Sequence, residues 1–359
     1  MSWFLAFAGF AILIVLHELG HFAAAKAVGM RVERFMLFFG RPLVSFRRGE
    51  TEYGIGPIPL GGYVRITGMN PREQLSPEIA ARGYYAQPVW KRIVVIAAGP
   101  LVNVVLAFAL LWGVFLANGE YAPTRQVSST GLEQPASRYL EPGDRIVSVD
   151  GVSSSPTAIL RRVASHRCAG RPVAGCVATT PAHVVVVRDG ERVAFDIRPR
   201  YDATREIRRT RLGFTYASRH VTYGPASAAD VSLDRMWALT KGTGQVFANI
   251  FDAQERKKLG GIVGGYEVTR QSFGFSVAQA IFILGLISLS LALINLLPFL
   301  PLDGGHIFWA VAEKLRGRPI PFSIMERASA VGFVLVIMLF VIGLTNDIDR
   351  LQNGGFDVR

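Results

Sequence analysis

Charge is what this chain has least of. Only 18% of its 359 residues are Asp, Glu, Lys or Arg, against about a quarter in an ordinary soluble domain. Apolar residues make up 50% and the mean hydropathy is positive at +0.31, which excludes a disordered or wholly soluble protein. Cysteine is nearly absent as well. Cys168 and Cys176 are the only two, so neither a disulfide scaffold nor a cysteine-based zinc finger is available. Acidic residues number 27 against 39 basic ones, a formal charge of +12. The basic residues form no helical cluster or stripe, which argues against a nucleic-acid partner. No internal repeat, low-complexity tract, nucleotide-phosphate loop or Ser/His/Asp arrangement stands out.

The few charges avoid four windows, each long enough to span a hydrocarbon core of about 30 Å. Residues 1–16 continue helically to Ala25, interrupted only by His17, Glu18 and His21; residues 93–119, 271–302 and 328–346 carry no charge at all. These predict transmembrane helices over about 3–25, 93–117, 277–298 and 328–346, the third window being too long for one perpendicular span. A cleaved signal peptide is the alternative for the first, with Ala23, Ala24 and Ala25 imitating its cleavage site. It is disfavoured, because no basic residue precedes Lys26 and three ionisable groups sit in the apolar run.

Basic residues in the loops set the orientation. Residues 26–92 hold eleven basic against five acidic residues and residues 301–327 hold four against three, so both loops are expected in the cytoplasm. Both termini and the segment 120–270 then lie outside. That segment carries twenty-two basic and fifteen acidic residues, which long translocated domains tolerate.

The polar interruption of the first helix has the pattern H-E-x-x-H: His17, Glu18, Leu19, Gly20, His21. Four-residue spacing puts both imidazoles on one helix face, one turn apart, as two ligands of a tetrahedral Zn²⁺ require. Glu18 is then placed to act as general base on a water that the metal acidifies. Such a pattern is often fortuitous in a soluble helix. In a bilayer-spanning one, three ionisable groups have no solvent to satisfy them, and one bound metal explains all three.

A catalytic zinc needs a third protein ligand. The third window ends in Asn295-Leu-Leu-Pro298-Phe-Leu-Pro301-Leu-Asp303-Gly304-Gly305. Its two prolines stop a helix and its glycines permit close backbone approach, so it reads as irregular chain at membrane depth. Asp303 is the natural ligand, or else the N-cap of a helix starting near His306. Asn295 is a buried amide in need of a partner, able to face a developing oxyanion.

The two motifs together, His17-Glu18-x-x-His21 and Asn295-x-x-Pro298-x-x-Pro301-Leu302-Asp303-Gly304, resemble the site-2 protease family of intramembrane zinc metalloproteases, in its bacterial regulator of sigma-E protease branch. Ile58-Pro-Leu-Gly61-Gly62-Tyr-Val64 and Ala98-Gly99-Pro100-x-x-Asn103 also match family signatures, so the likeness extends over most of the chain. Pro301 lies one residue later than in that branch, while the Asn295 to Asp303 separation is kept. The resemblance implies zinc ligands His17, His21 and Asp303, general base Glu18, and Asn295 as a substrate-positioning or oxyanion group.

Residues 40–67 read as a β-hairpin region, with short extended runs at 43–46 and 51–55 and with Gly54, Gly56, Gly61 and Gly62 allowing turns or close backbone approach. A protease must hold its substrate extended, and an exposed strand edge does so by backbone pairing. The resemblance implies a hairpin dipping into the membrane beside the zinc, and Gly54, Ile55 and Gly56 are the residues expected to meet the substrate. A solvent hairpin without such a role is the alternative.

Outside the membrane, the run Leu140-x-Pro142-Gly143-Asp144-x-Ile146-x-x-Val149-x-Gly151 looks like a PDZ domain over 121–216, with a D-G hairpin turn at Asp189-Gly190, a helix near 158–164 and a closing strand at 211–214. This domain either binds peptides or gates access. Cys168 and Cys176 are a disulfide or two free thiols. Apolar residues at helical spacing over 229–253 predict an amphipathic linker helix, on the membrane surface or against the PDZ-like domain.

The expected fold is thus a polytopic α-helical membrane protein of about four transmembrane helices, with a cytoplasmic-side membrane-associated β-hairpin region and one extracytoplasmic PDZ-like α+β domain. Its membrane halves are 1–119 and 271–346, in a cell inner (plasma) membrane. The expected function is an intramembrane zinc endopeptidase. The family supplies the expected partners: single-pass membrane proteins already cut at another site, such as anti-sigma factors, or remnant signal peptides. A housekeeping protease of signal peptides and a catalytically silent PDZ scaffold are the alternatives.

Overall fold

The computed structural model describes the chain except residues 71–72, 205–208, 258, 353–355 and 357–359 and the Leu60 side chain. In order, the elements are α1 Ser2–Ala27, β1 Val32–Phe39, β2 Val44–Arg48, β3 Thr51–Ile55, β4 Ile58–Ile66, α2 Pro77–Ala80, α3 Val89–Asn118, β5 Glu120–Thr130, β6 Arg145–Val149, α4 Pro156–Ala164, β7 Ala182–Arg188, β8 Glu191–Ile197, β9 Arg200–Asp202, β10 Arg209–Arg211, β11 Phe214–Val221, α5 Pro225–Ala248, α6 Ala253–Arg256, α7 Ile262–Phe275, α8 Val277–Asn295, α9 Asp303–Arg316 and α10 Phe322–Gln352. Two compact units result, one of residues 1–118 with 223–359, the other of residues 119–222.

Among the described residues of the first unit, α1, α3, α8 and α10 are the helices long and apolar enough to cross a membrane. The long third window is divided. Ser276 ends α7 and caps α8 through its side chain, and α8 stops at Asn295 because Pro298 disfavours helical backbone at the residue before it. Between hydrocarbon-facing helices packing comes from close van der Waals fit and small residues rather than from hydrophobic expulsion. Gly285 of α8 accordingly faces Leu111 of α3, where a Cβ would stand 3.3 Å from Leu111 Cγ.

The segment expected to be an amphipathic linker helix is α5. Its Ala228, Ser232 and Met236 form one buried face, which joins Ala107, Leu111 and Phe115 of α3 and Leu289 of α8 in one apolar cluster. Leu233 and Trp237, on another face, are exposed. Ala228 and Ser232, two small side chains four residues apart, suit tight helix contact.

The region expected to be a hairpin is a four-stranded sheet in the order β2-β3-β1-β4. The β2–β3 hairpin is there, turning at Gly49 with φ +64°. The strand missing from the expectation, β1, runs parallel to β3 and antiparallel to β4. Met36-Leu37-Phe38-Phe39 is continuously apolar, so β1 lacks the alternation by which a half-buried strand is recognised.

The second unit is built on a five-stranded sheet, order β11-β5-β6-β7-β8. Its core gathers Ile146, Val149, Val184, Val186 and Ile197 from the sheet with Ile159 and Val163 from α4. Asp189 and Gly190 both have positive φ, 52° and 89°, as the tight turn between β7 and β8 requires. Cys168 and Cys176 form a disulfide, the first of the two states left open by sequence. The closing strand is longer than expected: β11 starts at Phe214 and pairs with β5 as far as Val221.

Candidate metal centre

His17 and His21 are buried on one face of α1, and α3 comes close enough there to hold both. Two glycines permit it. A Cβ on Gly20 would fall 2.6 Å from the Ala98 carbonyl oxygen, and one on Gly99 would fall 2.2 Å from His21 Nε2. The His21 Nδ1 lies 2.9 Å from the Val95 carbonyl oxygen. A carbonyl only accepts, so Nδ1 carries the proton and the Nε2 lone pair is left free.

Asp303 arrives from the other half of the first unit. It is the first residue of α9, whose N-cap is Leu302 and has no side-chain capping bond, so Asp303 is not the N-cap that sequence left as an alternative. The chain after α8 folds back onto this first turn only because residues 304 and 305 lack side chains. A Cβ on Gly304 would lie 2.2 Å from the Leu296 carbonyl oxygen, and one on Gly305 would lie 2.4 Å from the Leu300 nitrogen.

The Asp303 Oδ2 then stands 3.3 Å from Nε2 of His17 and 3.3 Å from Nε2 of His21, and the two Nε2 atoms are 3.2 Å apart. These atoms form the group of possible metal ligands found among the described residues. A tetrahedral zinc with arms of about 2.0–2.1 Å has ligand–ligand edges of about 3.3–3.4 Å, so the triangle already has the size of one face. Asp303 Oδ2 is also a buried oxygen with no hydrogen-bond partner. A buried carboxylate oxygen is costly in that condition unless a cation neutralises it. Two nitrogens and one oxygen at this spacing fit zinc and leave a fourth position for reactants.

Glu18 points from the same turn of α1 toward β4. A Cβ on Gly62 would lie 2.8 Å from Glu18 Cγ, and the carboxylate interacts with the Val64 backbone N–H. β4 is an edge strand of its sheet, whereas β3 is interior. Gly54 and Ile55, expected to meet the substrate, lie in that interior strand and Gly56 follows it. Gly54 and Ile55 pair with β1 on one side and β2 on the other, and Gly56 donates its N–H to the Leu37 carbonyl. Both edges of β3 are thus paired within its own sheet. Its glycines serve close packing, since a Cβ on Gly56 would lie 2.3 Å from the Phe39 carbonyl oxygen. Asn295 is the last residue of α8; among the described residues no hydrogen bond joins it to His17, Glu18, His21 or Asp303.

Arg92, Val95, Gly99 and Asn103 occupy one face of α3, three or four residues apart, and all four serve the centre. Arg92 makes two hydrogen bonds to Glu313, 2.6 and 3.0 Å, and so braces α9. Asn103 meets His17 Nδ1 through its amide. Sequence reasoning missed Arg92 and Val95, because a charge at a helix start and a backbone carbonyl carry no motif. Gly99 and Asn103 were legible only as parts of a family signature.

Comparison with known proteins agrees with this geometry. Residues 5–339 match Peptidase family M50. The chain is 31% identical over 405 residues to the zinc metalloprotease Rip1 of Mycobacterium tuberculosis and of Mycobacterium bovis, with 94% of each chain covered. It is 27% identical over 362 residues to a Rhizobium meliloti protein whose name also describes a zinc metalloprotease, covering 95% of this chain and 94% of that one. The chain therefore belongs to peptidase family M50, the site-2 protease family, and is a membrane zinc metalloprotease.

Proposed function

We propose that this protein is an intramembrane endopeptidase that cuts the transmembrane segment of single-pass membrane proteins, with His17, His21 and Asp303 as zinc ligands and Glu18 as general base. The observation that carries the reading is that Glu18, next to the ligand His17, lies against Gly62 of the edge strand β4. A substrate unwound into a strand pairs with that edge through its backbone, which presents a peptide carbonyl to the centre and leaves the choice of side chains open. The Asn295 amide, at the head of the loop that ends in Asp303, orients the substrate chain.

A zinc ion held by His17, His21 and Asp303 would acidify water and polarise the scissile carbonyl. Glu18 takes a proton from the attacking water as the new C–O bond forms, then delivers it to the amide nitrogen as the C–N bond breaks. The products are a free carboxylate and an amine. Because Glu18 and the histidines lie within a membrane-spanning helix, soluble chains are excluded and the bilayer supplies the substrate.

The substrates are single-pass proteins whose outer domain another protease has already removed, such as anti-sigma factors, or remnant signal peptides. The unit of residues 119–222 is a PDZ-like domain outside the membrane, where its disulfide suits an oxidising compartment, and it screens substrates by size. Both termini share that side and the sheet β2-β3-β1-β4 lies on the cytoplasmic side.

The reading is tested with a model transmembrane peptide in detergent, comparing wild type with Glu18→Gln. Zinc content is expected to be equal in both, with hydrolysis lower in the variant by about 100-fold or more. Equal cleavage by both would remove Glu18 from the mechanism.

A further inference from the structure

The two histidines are held from behind in different ways. One turn back along α1 corresponds to one turn forward along α3, so His21 meets Val95 and Gly99 while His17 meets Asn103. The His21 partner is a main-chain carbonyl, which fixes its tautomer whatever the side chain at 95. The His17 partner is a side-chain amide with its Nδ2 3.2 Å from Nδ1, and an amide has both a donor end and an acceptor end. Asn103 is fully buried, and its Oδ1 has no hydrogen-bond partner.

The two ends of an amide are nearly equal in size, so packing does not choose between them; hydrogen bonding does. If His17 Nε2 is to offer a lone pair toward His21 and Asp303, its proton sits on Nδ1. An NH2 group facing that N–H sets donor against donor. Either orientation leaves one end of the amide without a protein partner, so the imidazole decides. Resting on the ligand reading above, we propose that Asn103 is the positioning residue of His17: the amide turns so that Oδ1 accepts the Nδ1–H, holding the imidazole in the one tautomer whose Nε2 can bind zinc.

Such acceptors behind a metal-binding histidine fix its orientation and raise its basicity, and removing one costs about 10- to 100-fold in metal affinity. A plainly structural role for Asn103 is the competing account, because α1, α3 and α8 meet at this residue. Ser288 Oγ of α8, however, donates to the Asn103 backbone carbonyl at 2.9 Å. That bond joins α8 to α3 whatever side chain stands at 103.

The test is zinc affinity of the full chain in detergent, measured against a competing chelator for wild type, Asn103→Asp, Asn103→Leu and His17→Ala. Aspartate has the shape of asparagine and only acceptors. The proposal expects Asn103→Asp to bind zinc at least as tightly as wild type and Asn103→Leu to bind about 10- to 100-fold more weakly. Affinity in Asn103→Asp reduced by a comparable factor would overturn it, because that is the result if the NH2 end or the packing of the amide is what matters. Wild-type affinity in Asn103→Leu would overturn it as well. Should Asn103→Leu fail to fold, Asn103→Asp decides alone. His17→Ala separates the two levels: its loss of zinc upholds the ligand set while the Asn103 variants are judged, and retention of zinc would overturn the ligand set and this inference with it.

Discussion

The His21 imidazole occupies the space that a side chain at Gly99 would fill, since a Cβ there would lie 2.2 Å from Nε2. The imidazole and the glycine are on different helices, α1 and α3, and each is intelligible only through the other. Gly99→Ala is therefore expected to displace the imidazole and strip the purified protein of most of its zinc, while Gly113→Ala, where nothing lies within 4 Å of the added carbon, leaves zinc content unchanged. Metal analysis of both variants checks this, and equal zinc in the two would show that α1 and α3 can separate without loss.

The ligand set itself makes a sharper claim. Wild type should carry about one zinc per chain, and His21→Ala or Asp303→Ala should lose most of it. His306, three residues along α9 from Asp303, lies outside the ligand triangle, so His306→Ala should keep zinc near the wild-type amount. Stoichiometric zinc in both ligand variants would defeat the assignment.

Orientation is open to direct mapping. Single cysteines introduced in place of Arg47 and Lys314 should be labelled from the cytoplasmic side, and one in place of Asp189 from outside. An Asp189 position reached only from the cytoplasm would invert the topology and end the idea that the unit of residues 119–222 screens substrates before cleavage.

One ion-pair cluster has a pH signature. Arg82, through hydrogen bonds to its carboxylate, and then Lys26 hold Glu50 down to about 2, from an ordinary 4.5. A lowered carboxyl contributes stability in full above the unfolded value and loses it as pH falls toward the folded one. The window is therefore about pH 4.5 down to 2. Glu50→Gln should lower the melting temperature slightly at pH 6, by no more than about 1 kcal/mol of stability because the pair is partly exposed, and the gap to wild type should narrow by pH 3. A gap that stays constant over that range would mean the carboxylate charge is not what stabilises the turn.

Much of this protein is determined along the chain. Charge-poor windows decide which helices are apolar enough to cross a bilayer, because an ionised group in hydrocarbon is costly wherever the helices pack. The spacing of His17 and His21 decides that they share a face, because a helix turns in 3.6 residues. Asp189-Gly190 decides a hairpin turn, because its backbone demands positive φ at both positions. Other features have no local cause. β1 has no alternation to betray it, and its insertion between β3 and β4 makes Gly54 and Ile55 interior and leaves β4 as the edge beside Glu18. α5 packs on α3 and α8 by a face that periodicity reveals but whose partner it cannot name. The face of α3 that runs from Arg92 through Val95 and Gly99 to Asn103 becomes a support for the metal only when α1 and α9 are laid against it. A hydrogen bond to a main-chain carbonyl, a space left by a glycine and a pairing edge left free are properties of proximity, and proximity between distant segments is decided by the packed fold.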